Sequence, residues 1–144
     1  MNVVDSSGWL EYFADGPNAD FFAPAIENTP ELIVPAVSIY EVFKRTLQQR
    51  DEATALQVAA LMAQGQVVEL DQTLAISAAK ISHDLKIPMA DSMILATARA
   101  FNATLWTQDV DLMGIENVEY ISKRPADTTS TQPIDQPTPG KSAD

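Results

Sequence analysis

The sequence predicts an α/β domain built on a mostly parallel sheet. Two observations carry this. Short apolar runs of strand length recur along the chain, at Val3–Asp5, Leu32–Val34, Val67–Leu70, Thr104–Thr107 and Val118–Ile121. Segments with apolar residues at helical spacing lie between them, and such alternation is the signature of βαβ units with right-handed crossovers.

In chain order, the first strand turns at Asp5-Ser6-Ser7 into a helix over Ser7–Ala14, on Trp9, Leu10, Tyr12 and Phe13, and Asp15-Gly16-Pro17 ends it. A second helix spans Ala19–Asn28, with Pro24 near its middle implying a kink. After the break at Thr29-Pro30 comes the strand Leu32–Val34, bounded by Pro35. Val37–Gln49 is a helix with Ile39, Val42, Phe43 and Leu47 as its apolar stripe. Asp51–Gln64 is the next, with Gly65 expected at its C′ position, and the short turn makes the two an antiparallel pair. Following the strand Val67–Leu70, Asp71 caps a helix that runs to Leu85 and stops at Ile87-Pro88. Ala90–Phe101 is the most apolar helix and should be central. The strands Thr104–Thr107 and Val118–Ile121 close the fold, with a short helix expected at Val110–Met113. From Pro125 onward, Pro, Thr, Ser, Gln and Asp replace the apolar pattern, so residues 1–124 read as one domain and 125–144 as a disordered Pro/Thr-rich tail.

Composition narrows the chemistry. The 144 residues suit one domain with a real core. There is no cysteine, which excludes disulfides, zinc–thiolate sites and thiol nucleophiles. A single histidine, His83, excludes a multi-histidine metal site within one chain. The formal net charge of −11 counts against bare nucleic acid as a partner unless a metal supplies positive charge at the site. No apolar run reaches membrane-span length and the start is not that of a signal peptide, so no membrane association and a cytoplasmic location are expected.

Four acidic residues draw attention by position. Asp5 and Asp109 each follow an apolar strand, while Glu41 and Asp91 each open a helix. Each has an ordinary explanation: Asp5 as a helix cap, Glu41 as the acid of a Ser38-x-x-Glu41 capping box, Asp91 as a first-turn acid facing the helix dipole, Asp109 and Asp111 as turn residues. In a parallel sheet, however, strand ends and helix starts share one edge, where ligands bind. Four gathered carboxylates would repel one another, and burial would raise their pKa values. A hard divalent cation relieves both, and oxygen-only donors indicate Mg²⁺ or Mn²⁺.

Val3-Val4-Asp5-Ser6-Ser7, Ser38-Ile39-Tyr40-Glu41-Val42, the run Ile87 to Ala98 containing Ala90-Asp91-Ser92, and Leu105-Trp106-Thr107-Gln108-Asp109 together resemble the PIN-domain ribonucleases, and within them the VapC-type toxins of bacterial toxin–antitoxin pairs. The resemblance spans residues 1–124. It implies a three-layer α/β/α sandwich with a central parallel sheet, Asp5, Glu41, Asp91 and Asp109 as catalytic metal ligands for Mg²⁺ or Mn²⁺, and Thr107 as a supporting hydroxyl. It further implies cleavage of single-stranded RNA to 5′-phosphate and 3′-hydroxyl ends, a homodimer, and silencing by a cognate antitoxin. Ser6 and Asp111 are added as supporting residues, and Lys44 and Arg45, one turn past Glu41, as candidate phosphate contacts. Two alternatives stand beside this one. The acidic balance suits a catalytically weak binding or adaptor module acting through protein partners. An aspartyl-phosphate enzyme ranks last, because Ser7 stands where a second acid would be needed.

Overall fold

The computed structural model describes residues 1–125; the proposed tail falls almost wholly outside them. Five strands form one parallel sheet: β1 (Asn2–Val4), β2 (Leu32–Pro35), β3 (Gln66–Val68), β4 (Thr104–Thr107) and β5 (Val118–Tyr120). Six helices connect them: α1 (Ser6–Phe13), α2 (Ala19–Glu27), α3 (Ala36–Gln49), α4 (Glu52–Met62), α5 (Gln72–Leu85) and α6 (Met89–Ala100). Short 3₁₀ turns sit at Thr29–Glu31 and Val110–Leu112.

The pleat divides the core in two. Val3, Ile33 and Leu105 face one side and pack with Leu74, Ala78 and Ile81 of α5 and with Ile94, Leu95 and Ala98 of α6. Val4, Leu32 and Val34 face the other and pack with Trp9, Phe22, Ile26, Val42, Val58 and Met62, which come from α1 to α4. The result is the expected three-layer sandwich. Helix α6 is the most buried, with Ile94 to Ala98 all inside, as its composition predicts.

Several local expectations shift. Strand β3 begins one residue earlier and ends two earlier than the apolar run suggests. Pro24 lies inside α2 without ending it. Gly65 is not a left-handed cap: among the described glycines only Gly114 has positive φ. Its smallness serves packing instead, since a β-carbon there would come within 2.9 Å of the Leu32 carbonyl oxygen.

Strand order is β3-β2-β1-β4-β5. The chain therefore builds outward from β1 through β2 to β3, then crosses back to lay β4 on the other side of β1. The carboxyl ends of β1 and β4 flank the point where the winding reverses, the place where open α/β sheets form a ligand crevice.

Candidate metal centre at the sheet edge

Asp5 emerges directly from β1 and caps α1, accepting from the Gly8 amide at 2.9 Å. The cap is real, and it aims the carboxylate across the crevice rather than away from it. Ser7 Oγ donates to both carboxylate oxygens, at 2.9 and 3.1 Å, and Thr107 Oγ1 donates to Oδ2 at 2.5 Å. Asp5 is only 2% exposed. Burial pushes its carboxyl up to about 6, against the hydrogen bonds from Thr107, Gly8 and Ser7, which hold it down; the Asp109 charge adds to the rise.

Glu41 is not held by a capping box. β2 runs into α3 without a loop: Pro35 ends the strand and is the N-cap, so Ser38 already lies inside the helix and Glu41 falls in its second turn. Ser38 Oγ is buried with no hydrogen-bond partner among the described residues. Glu41 instead accepts at Oε1 from Ser6 Oγ, 2.5 Å away. The two hydroxyls after Asp5 thus divide their work, Ser7 serving Asp5 and Ser6 serving Glu41.

Asp91 stands in the first turn of α6, half-buried. Its carboxyl is pushed up to about 8, by burial first and then by the Asp109, Asp5 and Asp111 carboxylates. Among the described residues no Lys or Arg forms an ion pair with it. Asp109 follows β4, capping the turn at Val110–Leu112 by accepting from the Asp111 amide at 2.9 Å, and its own amide donates to Thr107 Oγ1 at 2.8 Å.

The fold brings these together. Asp5, Glu41, Asp91 and Asp109 line one pocket of about 270 Å³, with Ser6, Ser7, Leu10 and Arg45. The tightest grouping is Asp91, Asp109 and exposed Asp111, which each offer a carboxylate oxygen within 4.8 Å of the others. Asp5 and Glu41 border that trio from β1 and α3. Lys44 is not among the pocket residues; its ammonium lies 5.8 Å from the centre of the Tyr40 ring. An all-oxygen donor set with two carboxyls that resist ionisation fits a hard divalent cation, which would return both to the charged form.

A network that sequence reasoning missed borders the site. Buried Asn18 donates from Nδ2 to Gln108 Oε1 at 2.9 Å and to the Ser122 carbonyl at 3.1 Å, while its Oδ1 accepts from Arg124 Nε at 2.9 Å. These partners lie 90 or more residues away in sequence, and no local pattern announces them.

Among solved structures, the chain is similar to a toxin–antitoxin complex from Klebsiella pneumoniae, at 20% identity and a TM-score of 0.69 over 83% of this chain and 96% of that one. It is similar to VapC20 of Mycobacterium tuberculosis, described as a sarcin–ricin-loop-cleaving toxin, at 16% identity and a TM-score of 0.67, covering 87% and 100%. VapBC2 from Rickettsia felis, bound to a promoter DNA fragment, matches at 13% identity and a TM-score of 0.65, covering 83% and 97%. No curated protein matches the sequence. At these identities the neighbours speak for the fold. The family model for the PIN domain, however, matches residues 3–117, from β1 to the threshold of β5 and across every acid of the pocket, and the chain belongs to that family.

Proposed function

We propose that the protein is a metal-dependent endoribonuclease that hydrolyses phosphodiester bonds in single-stranded RNA, and that it serves as the toxin of a toxin–antitoxin pair. The observation that carries this is the convergence of Asp5, Glu41, Asp91 and Asp109 on one pocket at the reversal point of a parallel sheet. The likeness to toxin–antitoxin complexes and to a toxin described as cleaving an RNA loop supports the substrate class and an antitoxin partner. A homodimer belongs to the same reading.

Asp5, Asp91 and Asp109 would hold Mg²⁺ or Mn²⁺, which when bound supplies positive charge for the phosphate and acidifies a water at neutral pH. The chain's own residues set the geometry. Gly8, Ser7 and Thr107 fix the Asp5 carboxylate with donors on both oxygens. Ser6 fixes Glu41, which lines the pocket and would serve as acceptor for the attacking water or for a hydrated cation. Asp111, exposed, offers a further carboxylate oxygen within 4.8 Å of those of Asp91 and Asp109. Arg45, on the pocket wall, orients a phosphate oxygen with a planar fork of donors.

The test is cleavage of single-stranded RNA by the purified protein in Mg²⁺ and in EDTA, followed by sequencing of the ends. Asp5→Asn and Asp91→Asn should each reduce cleavage by at least about two orders of magnitude while the circular dichroism spectrum is retained. RNA left intact by the unmodified protein in both Mg²⁺ and Mn²⁺ overturns the nuclease reading and leaves the adaptor module, which the charge of −11 favours.

A further inference from the structure

The acidic pocket continues into a second cavity of opposite charge. Ser7, Leu10 and Arg45 line both. The second cavity, about 320 Å³, adds Glu11, Gln108, Lys123 and Arg124 among its walls. The balance of charge reverses between them: four carboxylates and Arg45 line the first, and Arg45, Lys123 and Arg124 with the single carboxylate of Glu11 line the second.

The one acid in the second cavity has both carboxylate oxygens hydrogen-bonded within the protein. Glu11 Oε2 accepts from the Asn18 amide at 2.7 Å, and its Oε1 accepts from Gln108 Nε2 at 3.4 Å. Arg124 is anchored: its Nε donates to Asn18 Oδ1 at 2.9 Å and its guanidinium donates to the Pro17 carbonyl. Asn18, 1% exposed, holds the Ser122 carbonyl as well. The segment after β5 is thereby fastened beside the crevice. Among the described residues no carboxylate lies within ion-pair distance of Arg45 or Lys123.

We propose that Arg45, Lys123 and Arg124 form a phosphodiester-binding subsite adjoining the acidic pocket, which grips the RNA backbone next to the bond that is cut. The inference rests on the nuclease reading and adds where the chain is held. It also answers the charge problem. A polyanion approaching a protein of net charge −11 is repelled on average, but three cations at the mouth of the site create a local field of the right sign. Recognition is of backbone charge, so it positions the strand without reading its bases.

The experiment is equilibrium binding of a short fluorescein-labelled single-stranded oligouridylate, followed by anisotropy in EDTA and in Ca²⁺ across a salt series. Lys123→Glu and Arg45→Glu should each weaken binding several-fold and flatten the slope of log Kd against log salt by about 0.7 to 1. Lys123→Arg should keep the slope. Lys80→Glu, on α5 in the opposite layer, should not change it. Arg124 is left in place because its bonds to Asn18 and Pro17 hold the segment. Equal slopes for the unmodified protein, Lys123→Glu and Arg45→Glu overturn the subsite. If the unmodified protein still cleaves RNA in that case, only the subsite falls; if it neither binds nor cleaves RNA, the nuclease reading falls with it.

Discussion

Thr107 Oγ1 donates to Asp5 Oδ2 at 2.5 Å and accepts from the Asp109 amide at 2.8 Å, so one fully buried hydroxyl ties the end of β4 to the end of β1. Two acids that lie more than a hundred residues apart in sequence are registered through a single oxygen atom.

Replacing that oxygen tests the relationship. Thr107→Val keeps the volume and removes both bonds, leaving the Asp109 amide without this acceptor and Asp5 Oδ2 with only the Ser7 donor at 3.1 Å. A loss of about 1–3 kcal/mol in urea unfolding is expected. The Asp5 carboxyl should ionise at higher pH still, because the Thr107 donor is the largest influence holding it down. Metal affinity and cleavage should fall, and Thr107→Ser should restore most of both. Unchanged cleavage in Thr107→Val would show that the bridge does not position the acids.

Burial of Asp5 and Asp91 makes stability depend on pH in a direction opposite to that of paired carboxylates. Both fold with raised pKa values, so the native chain keeps protons that the unfolded chain has released. Their contribution is fully present below 3.8 and is lost as pH rises through about 6 for Asp5 and about 8 for Asp91. In EDTA, these two groups should lower Tm progressively across that window. Mg²⁺ competes with those protons, so its addition should raise Tm more at about pH 8 than at about pH 5. Thermal scans at both values, with and without Mg²⁺, check this; an equal gain at the two ends would remove these carboxylates from the metal's ligand set.

Gly8 is a packing requirement of α1. A β-carbon there would stand 2.7 Å from both the Phe22 ring and the Val4 side chain. Gly8→Ala should therefore destabilise by about 1–3 kcal/mol, although alanine favours a helix over glycine by up to about 1 kcal/mol. Urea denaturation decides which effect wins. A more stable Gly8→Ala variant would mean that α1 and α2 can separate without loss.

The elements that were legible in the sequence are those whose signal is local. Five apolar runs and the intervening helical periodicity gave the parallel βαβ units, the family resemblance implied the sandwich, and the strand ends placed Asp5 and Asp109 on one edge. Strand order was not legible, because hydrophobic pattern does not say on which side of β1 a later strand is laid. Hydroxyl partners were not legible either. Ser6 stands beside Asp5 in sequence yet serves Glu41, and Thr107 stands near Asp109 yet bonds the carboxylate of Asp5. The Ser38–Glu41 spacing matched a cap motif that the direct junction of β2 and α3 forbids. Lys123 and Arg124, at the margin of a polar C-terminal segment, gain meaning only from Asn18, on the far side of the sequence.

Among the described residues the sheet terminates on β3 and β5, each only three residues long. An outer strand displays unpaired amides and carbonyls on which a foreign strand can template, and brevity limits that hazard. Exposed Glu119 at the centre of β5 adds a charge that an incoming apolar strand would have to desolvate. Self-assembly of this domain should therefore proceed through its helical layers, and fibrillar aggregation by strand addition at the borders of the sheet should be disfavoured even at high concentration.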